Sequence, residues 1–539
     1  MSPLIYGKKQ IPLLQGKTVF DYADDLKIRV PTSCGRTGEC HECIVEIKQG
    51  SDGLTDRTES EKFLKDTYRL ACQAAISDAA ENLEFSVLRR QPKILTSSIK
   101  RKIVADPITR KSGDFVCYGD QRLEEYKGSI YGLAIDLGTT TVAMNLVDLE
   151  KKITVFTTSF ENPQKFGGSD VMHRISYDGG PYHGELRKVM LSSINFEIGD
   201  MCRKLKIHRR RIYEAVLVGN STMRDIVFGV DVQTIGEKPY KSKIEMEFIQ
   251  GERKSTALNA IADDLGIRIF PKANVYGGPL IASHVGSDVS ADLLAIGMDE
   301  MDESVMLVDV GTNTEVIIGN RHRILAASCP AGPAFEGGEI KFGMPGYEGA
   351  VEAVRMNNSA VEIETIGNAD PEGICGSGLI DLLAELRRTQ RMTELGVFNS
   401  GENEFTFASE QGLTLSRADI SALAQAKSAN FCGQWIVLRA FGQPIKELAK
   451  FYLAGGFANY INAKNAIEIG FLANVNLDDI EKVGNASLEG ATIMLLSGKL
   501  RNRIEDLVLK VEHIELETTD DFFDLFVEGC QFKRMDFKL

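Results

Sequence analysis

The chain carries one short signature twice. Residues 131–148, YGLAIDLGTTTVAMNLVD, and residues 305–319, VMLVDVGTNTEVIIG, each read as an apolar strand, an Asp-x-Gly-Thr turn and a second apolar strand. The glycine of such a turn lets backbone approach a phosphate, and the N–H and hydroxyl groups beside it can bond the oxygens. Gly138 is followed by Thr139 and Thr140, and Gly311 by Thr312 and Asn313. Asp136 stands at the first strand end, where a carboxylate can hold Mg²⁺ through water. Two such turns predict a duplicated lobe with a nucleotide clamped between the halves. A third stretch, FYLAGGFANYINA (451–463), is an apolar strand ending at Gly455 and Gly456, where a base and ribose can lie against bare backbone. VLVGNSTM (216–223) and GNASLEGA (484–491) add small residues suited to close packing at an interlobe hinge. Neither a G-x-x-x-x-G-K-[ST] loop nor a dinucleotide fingerprint in the right context is present.

A second constellation lies near the N-terminus. Cys34, Cys40 and Cys43 fall in SCGRTGECHEC, and Cys72 follows in YRLACQAA. A structural zinc site usually shows two close pairs, whereas this trio plus a distant single approaches the C-x4-C-x2-C…C layout of a [2Fe–2S] site with one extra residue in the first gap. Gly35 and Gly38 supply the turns that a loop around such a group needs. Zinc, or four unrelated thiols, is the competing reading. His41, between two of the cysteines, reads as an exposed loop residue, with tuning or replacement of a ligand as the alternative. The flanks predict a hairpin turning at Gly7 and Lys8, a short helix in TVFDYADDLKI and a strand in CIVEIKQG. Cys117, Cys202, Cys329, Cys375, Cys432 and Cys530 are widely spaced and read as buried or incidental thiols.

Among 539 residues, 62 are basic and 76 acidic, a net charge of −14. That balance excludes non-specific nucleic-acid binding and a polybasic membrane anchor. No run of about 18 apolar residues appears, and the first residues lack an apolar signal core, so a cytoplasmic location is expected. Residues 93–128 are polar and locally basic, either a tether or a small linking subdomain. ICGSG (374–378) opens a helical pattern, either facing nucleotide or packing as a turn, and Lys427 reads as a solvated helix lysine, with reach to the nucleotide as the alternative.

Together, the cysteine spacing and its flanks resemble the two-iron ferredoxin domain, with the longer first gap of adrenodoxin-like members, over residues 1–92. The two Asp-x-Gly-Thr turns and LAGGFAN resemble the ASKHA superfamily of sugar kinases, heat-shock ATPases and actin. The resemblance implies an α/β chain: a β-grasp ferredoxin-like domain, a linker (93–128), a first ASKHA lobe (129–302), a second lobe with the adenosine motif (303–498) and a C-terminal tail packing on them (499–539). It further implies that Asp136 serves Mg²⁺, that Asp309 orients or activates the attacking water, and that Thr139, Thr140, Thr312 and Asn313 contact phosphates.

The combination is similar to the reductive activators of corrinoid proteins. That resemblance implies a [2Fe–2S] cluster, ATP and Mg²⁺, a corrinoid methyl-transfer protein as partner, a low-potential electron donor and a possible homodimer. The implied reaction is ATP-dependent reduction of inactive Co(II) to Co(I). An ATP-driven activator of another low-potential metalloenzyme, a small-molecule kinase with a redox-sensing domain, and an ATP-using assembly factor are the alternatives.

Overall fold

The computed structural model describes residues 2–7, 9–77, 82–88, 101–357, 360–456 and 458–535. The N-terminal part is a five-stranded sheet in the order Lys9–Pro12, Pro3–Tyr6, Leu83–Val87, Ile44–Gln49, Tyr68–Leu70. Pro3–Tyr6 runs parallel to Leu83–Val87, and the other pairs are antiparallel. Helix Val19–Asp25 starts on a capping box: the Thr18 hydroxyl accepts from the Asp21 N–H, and the Asp21 carboxylate accepts from the Thr18 N–H. Two otherwise orphaned donors are satisfied this way. The helix buries Val19, Phe20, Tyr22 and Ala23 in a core that includes Leu4, Val45 and Phe85. This is the β-grasp arrangement. Residues 101–128 form a small antiparallel sheet, Thr109–Ser112, Phe115–Tyr118 and Gln121–Glu125, rather than a bare tether. Residues 93–100 lie outside the described residues, as does Lys8 of the expected turn.

Two six-stranded sheets follow. The first is ordered Ile153–Glu161, Thr141–Asp148, Tyr131–Leu137, Ile212–Gly219, Asn274–Gly277, Leu258–Ile261. The second is ordered Ile480–Gly484, Lys450–Ala454, Val305–Val310, Thr314–Gly319, Ile324–Cys329, Glu512–His513. Read from their meanders, both share one plan: three antiparallel strands in chain order, then two strands parallel to the first. The central strands are mostly apolar because both faces are covered; Ile212–Gly219 is buried along its whole length, with Glu214 its one charged residue.

Equivalent helices, Ser287–Ile296 and Ala486–Leu496, leave the last parallel strand of each lobe and pack on one another. Ala486–Leu496 follows second-lobe strands in the chain, yet it also lies against Tyr131–Leu137 and Ile212–Gly219 of the first lobe. The approach is close because of Gly490, where a Cβ would fall 2.0 Å from the Ala291 carbonyl oxygen. Beyond it, helix Gly498–Leu507 buries Arg501 against the Glu214 carboxylate at 2.5 Å, and Phe522–Gly529 packs on the long helix Arg417–Phe441. Among the described residues no helix is long and apolar enough to cross a membrane.

Gly490 gives a test of sign. Helix propensity alone favours alanine by about 1 kcal/mol, but overpacking against Ala291 costs about 1–3 kcal/mol or more. Gly490→Ala therefore lowers the urea midpoint; a raised midpoint would contradict the close helix crossing.

Candidate functional site

Both Asp-x-Gly-Thr turns open onto one cleft between the lobes. Asp136, Gly138, Thr139, Thr140, Asp309, Gly311, Thr312, Asn313, Gly455 and Gly456 all line it. The turns meet: Thr140 Oγ1 and Thr312 Oγ1 are 3.1 Å apart. Gly455 has a left-handed φ of 109°, and a Cβ there would fall 2.2 Å from the Val310 carbonyl oxygen and 2.8 Å from Asp309 Oδ1. Only glycine fits between that strand end and the second turn.

Four helices, Ser221–Phe228, Ser287–Ile296, Gly376–Arg388 and Ala486–Leu496, begin at this cleft. Each places unpaired N–H groups and a partial positive charge toward it. Three of them follow the carboxyl ends of parallel strands, where open α/β sheets bind ligands. The sequence reading took ICGSG as a helix opening and left nucleotide-facing and packing roles open; Cys375, Gly376 and Ser377 line the cleft.

The two Val-Gly-Asn stretches, read from sequence as hinge packing, do a second task. The Asn220 carbonyl accepts from the Met223 N–H, and its amide donates to Thr139 Oγ1 at 3.1 Å. The Asn485 carbonyl accepts from the Leu488 N–H, and its amide donates to Asp136 Oδ2 at 2.7 Å. Each asparagine caps its helix with its oxygen and grips the first turn with its nitrogen.

Carboxyl groups dominate the rest. Burial pushes Asp136 up to about 7, against the Asn485 hydrogen bond, and Asp288 and Asp309 push the same way. Burial likewise raises Asp288 to about 7 and Asp309 to about 6. Asp292, Glu315 and Glu336 are also raised by burial. Glu336 spans the turns: its Oε2 accepts from Thr140 Oγ1 at 2.7 Å and from the Thr312 hydroxyl. Such a cleft has excess negative charge in low dielectric and favours a cation bound together with phosphate.

Sequence reasoning missed Asp288, Asp292, Glu315, Glu336, Asn220 and Asn485 as site residues. Glu336 lies in the glycine-rich stretch GPAFEGG (332–338), which follows the second hairpin. The available signal was the repeated Val-Gly-Asn at 218–220 and 483–485. Lys427 is corrected outright: it is fully buried, its Nζ donates to the Gly470 carbonyl at 3.3 Å, and burial pushes it down to about 7. It is not among the residues lining the cleft.

In the N-terminal domain the four cysteines pair off. The Cys43 thiol donates to the Cys72 sulfur at 3.4 Å, which holds Cys72 down at about 7 and pushes Cys43 well up. Burial opposes ionisation of Cys34, but Thr37 and the backbone and side chain of Cys40 outweigh it and hold Cys34 down at about 5. Two sulfur pairs suit two irons, each taking two thiolates. The two pairs also sense one another: Cys40 acts on Cys43 and Cys34 on Cys72. His41 is not the exposed loop residue expected: its ring stacks on Phe63 at 4.1 Å, and its Nδ1 lies 2.6 Å from Glu185 Oε2 of the first lobe.

The cleft charge has a measurable cost. A carboxyl raised in the folded state binds its proton more tightly than in the unfolded chain, so it removes stability as pH climbs from about 4 toward 7. Asp288→Asn mimics the protonated acid. It raises the nucleotide-free unfolding midpoint at pH 8, raises it less at pH 5 and changes it little at pH 3.5, read by thermal unfolding at each; an equal shift at pH 8 and pH 3.5 would contradict this.

Comparison with known proteins fits this geometry. Residues 5–77 match the 2Fe-2S iron-sulfur cluster binding domain, residues 131–301 the RACo middle region, and residues 303–539 the C-terminal domain of RACo, described as its ASKHA domain. The chain is 26% identical to the corrinoid activation enzyme RamQ of Eubacterium limosum, covering 99% of this chain and 98% of the relative. It is 22% identical to the [Co(II) methylated amine-specific corrinoid protein] reductase of Methanosarcina barkeri, over 74% of this chain and 76% of that one. A solved reductive activator for a corrinoid, iron-sulfur protein superposes with a TM-score of 0.73 at 28% identity, covering 99% of both chains. The chain belongs to the family of reductive activators of corrinoid proteins.

Proposed function

We propose that this chain couples ATP hydrolysis to the one-electron reduction of a corrinoid protein, returning inactive Co(II) to Co(I). The observation that carries the reading is the presence, in one molecule, of two cysteine pairs suited to a [2Fe–2S] cluster and a two-lobed cleft suited to a nucleotide. A corrinoid activator corresponds to both over its whole length. When bound, the cluster supplies a one-electron carrier near about −400 mV in plant-type proteins. An acceptor of lower potential costs about 1.4 kcal/mol for each 59 mV, and nucleotide-driven closure of two lobes can offset several such steps.

In this reading Thr139, Thr140, Thr312 and Asn313 bond the phosphates, joined by N–H groups of the first turn and the helix starts, while Gly138 and Gly311 let the backbone approach them; the Gly311 N–H itself donates to the Asn313 carbonyl at 3.1 Å. Asp136, oriented by Asn485, holds Mg²⁺ through water. Asp309 orients the attacking water and takes its proton, a role suited to a carboxyl titrating near neutrality. Gly455 and Gly456 let the adenosine lie on backbone. Cys34, Cys40, Cys43 and Cys72 hold the cluster. A low-potential donor reduces that domain, the setting is the cytoplasm, and two copies associate as a homodimer.

The test is anaerobic. Co(II) corrinoid protein and a low-potential reductant are mixed with the protein, and the cobalt spectrum is followed. Co(I) grows only with Mg-ATP, and Asp309→Ala lowers its rate by about 10²-fold or more. Cys43→Ala abolishes transfer from a protein donor. ATP-independent Co(I), or an unaffected Asp309→Ala rate, would overturn the reading.

A further inference from the structure

The cysteine loop and the first phosphate turn belong to different domains, yet a short run of contacts joins them. It begins at the carbonyls of the turn. Asn162 Nδ2 donates to the Gly138 carbonyl at 2.9 Å, and Arg174 Nη2 donates to the Thr139 carbonyl at 2.8 Å. Asn162 caps the 3₁₀ turn Pro163–Gly167, and Arg174 lies in helix Val171–Asp178. Arg174 is fully buried, and its other hydrogen bonds go to the Gly168 carbonyl at 3.1 Å, Gln164 Oε1 at 3.5 Å and the Met223 sulfur at 3.2 Å.

The same two elements hold the N-terminal domain. Phe166 of the turn meets Phe63 edge-on, with centroids 5.5 Å apart, and Tyr177 of the helix meets Phe166 at 5.4 Å. The Tyr177 hydroxyl donates to the Phe63 carbonyl at 2.6 Å. Phe63 stacks on His41, which sits between Cys40 and Cys43. At the next helix, Glu185 holds His41, and Lys188 Nζ donates to the Glu39 carbonyl at 3.1 Å.

We propose that the Pro163–Gly167 turn and the Val171–Asp178 helix couple the two sites, so that phosphate bound at Gly138–Thr140 tightens docking of the cysteine loop on the first lobe. The direction follows from peptide chemistry. The N–H of Thr139 shares a peptide with the Gly138 carbonyl, and that of Thr140 shares one with the Thr139 carbonyl. A peptide whose N–H donates to phosphate becomes a stronger acceptor at its carbonyl, because chained hydrogen bonds polarise one another. Phosphate therefore strengthens the grip of Asn162 and Arg174, which orders the elements presenting Phe166 and Tyr177. Linkage makes the effect reciprocal: docking strengthens nucleotide binding by the same factor. Arg174 and Tyr177 are positioning residues, since neither touches the nucleotide or the sulfurs.

This inference deepens the activator reading by saying how the nucleotide reaches the electron-carrying domain. It is tested without any corrinoid partner, so failure of either leaves the other standing. Full-length, cluster-loaded protein is compared anaerobically with and without the Mg²⁺ complex of a non-hydrolysable ATP analogue. Two readouts are taken: amide exchange over residues 39–44 and 58–70, and affinity for the analogue. In the parent, nucleotide slows exchange in both stretches by about fivefold, at the low end of common coupling factors. In Tyr177→Phe and in Glu185→Gln the slowing falls toward onefold, and affinity weakens by the factor lost. Arg174→Lys removes one of the carbonyl grips and reduces both effects; should it fail to fold, the other two variants decide. Exchange indifferent to nucleotide in the parent, or slowing retained in Tyr177→Phe and Glu185→Gln, overturns the proposal.

Discussion

Asp136, Asp288 and Asp309 share one cleft, and burial makes each harder to ionise in the presence of the others. Like charges in low dielectric are tolerated only where the surroundings hold them in place and a ligand can relieve them. The architecture supplies both. Four helices start at the cleft, and Asn485 binds Asp136 of the first lobe from the end of a second-lobe strand, Ile480–Gly484. The crossing at Gly490 fixes the helix that follows on the first-lobe sheet. On the proposed reading, a cation bound with the phosphates offsets the cost of these buried carboxylates, and ligand occupancy then favours the closed lobes.

The duplicated lobe was legible because its signature is local. An apolar strand, a glycine turn and another apolar strand are set by residues within a few positions of one another, and both copies form the hairpins expected. The cysteine loop was legible for the same reason, through spacing and flanks. What escaped was tertiary. Asp288 and Glu315 gain meaning only when the lobes face each other, and Glu336 only because Thr140 and Thr312 come within reach from far apart in the chain. His41 and Lys427 were read from their neighbours in sequence as solvent-facing, but Phe63 and the second-lobe core respectively cover them. The paired asparagines were visible as small-residue stretches, while their capping geometry needed the fold.

Two chemistries in one chain impose a geometric demand: an ATPase cleft and an electron carrier must influence one another across a domain boundary. The first lobe meets that demand at its Pro163–Gly167 turn and Val171–Asp178 helix, which touch both sites through buried aromatic and guanidinium contacts. Buried contacts of this kind have discrete arrangements, so a small change at the phosphate turn need not dissipate before it reaches the cysteine loop.

The central claim is that ATP pushes an electron from the ferredoxin-like domain to cobalt. The most direct measurement is a single turnover. Protein carrying one electron in its N-terminal domain, with excess reductant removed, is mixed rapidly with Co(II) corrinoid protein, and the iron–sulfur and cobalt absorbances are followed together. The account predicts that with Mg-ATP the domain loses its electron as Co(I) appears, in equal amounts and with one rate, and that neither change occurs without nucleotide. Equal transfer without nucleotide, or Co(I) appearing while the domain keeps its electron, would contradict it.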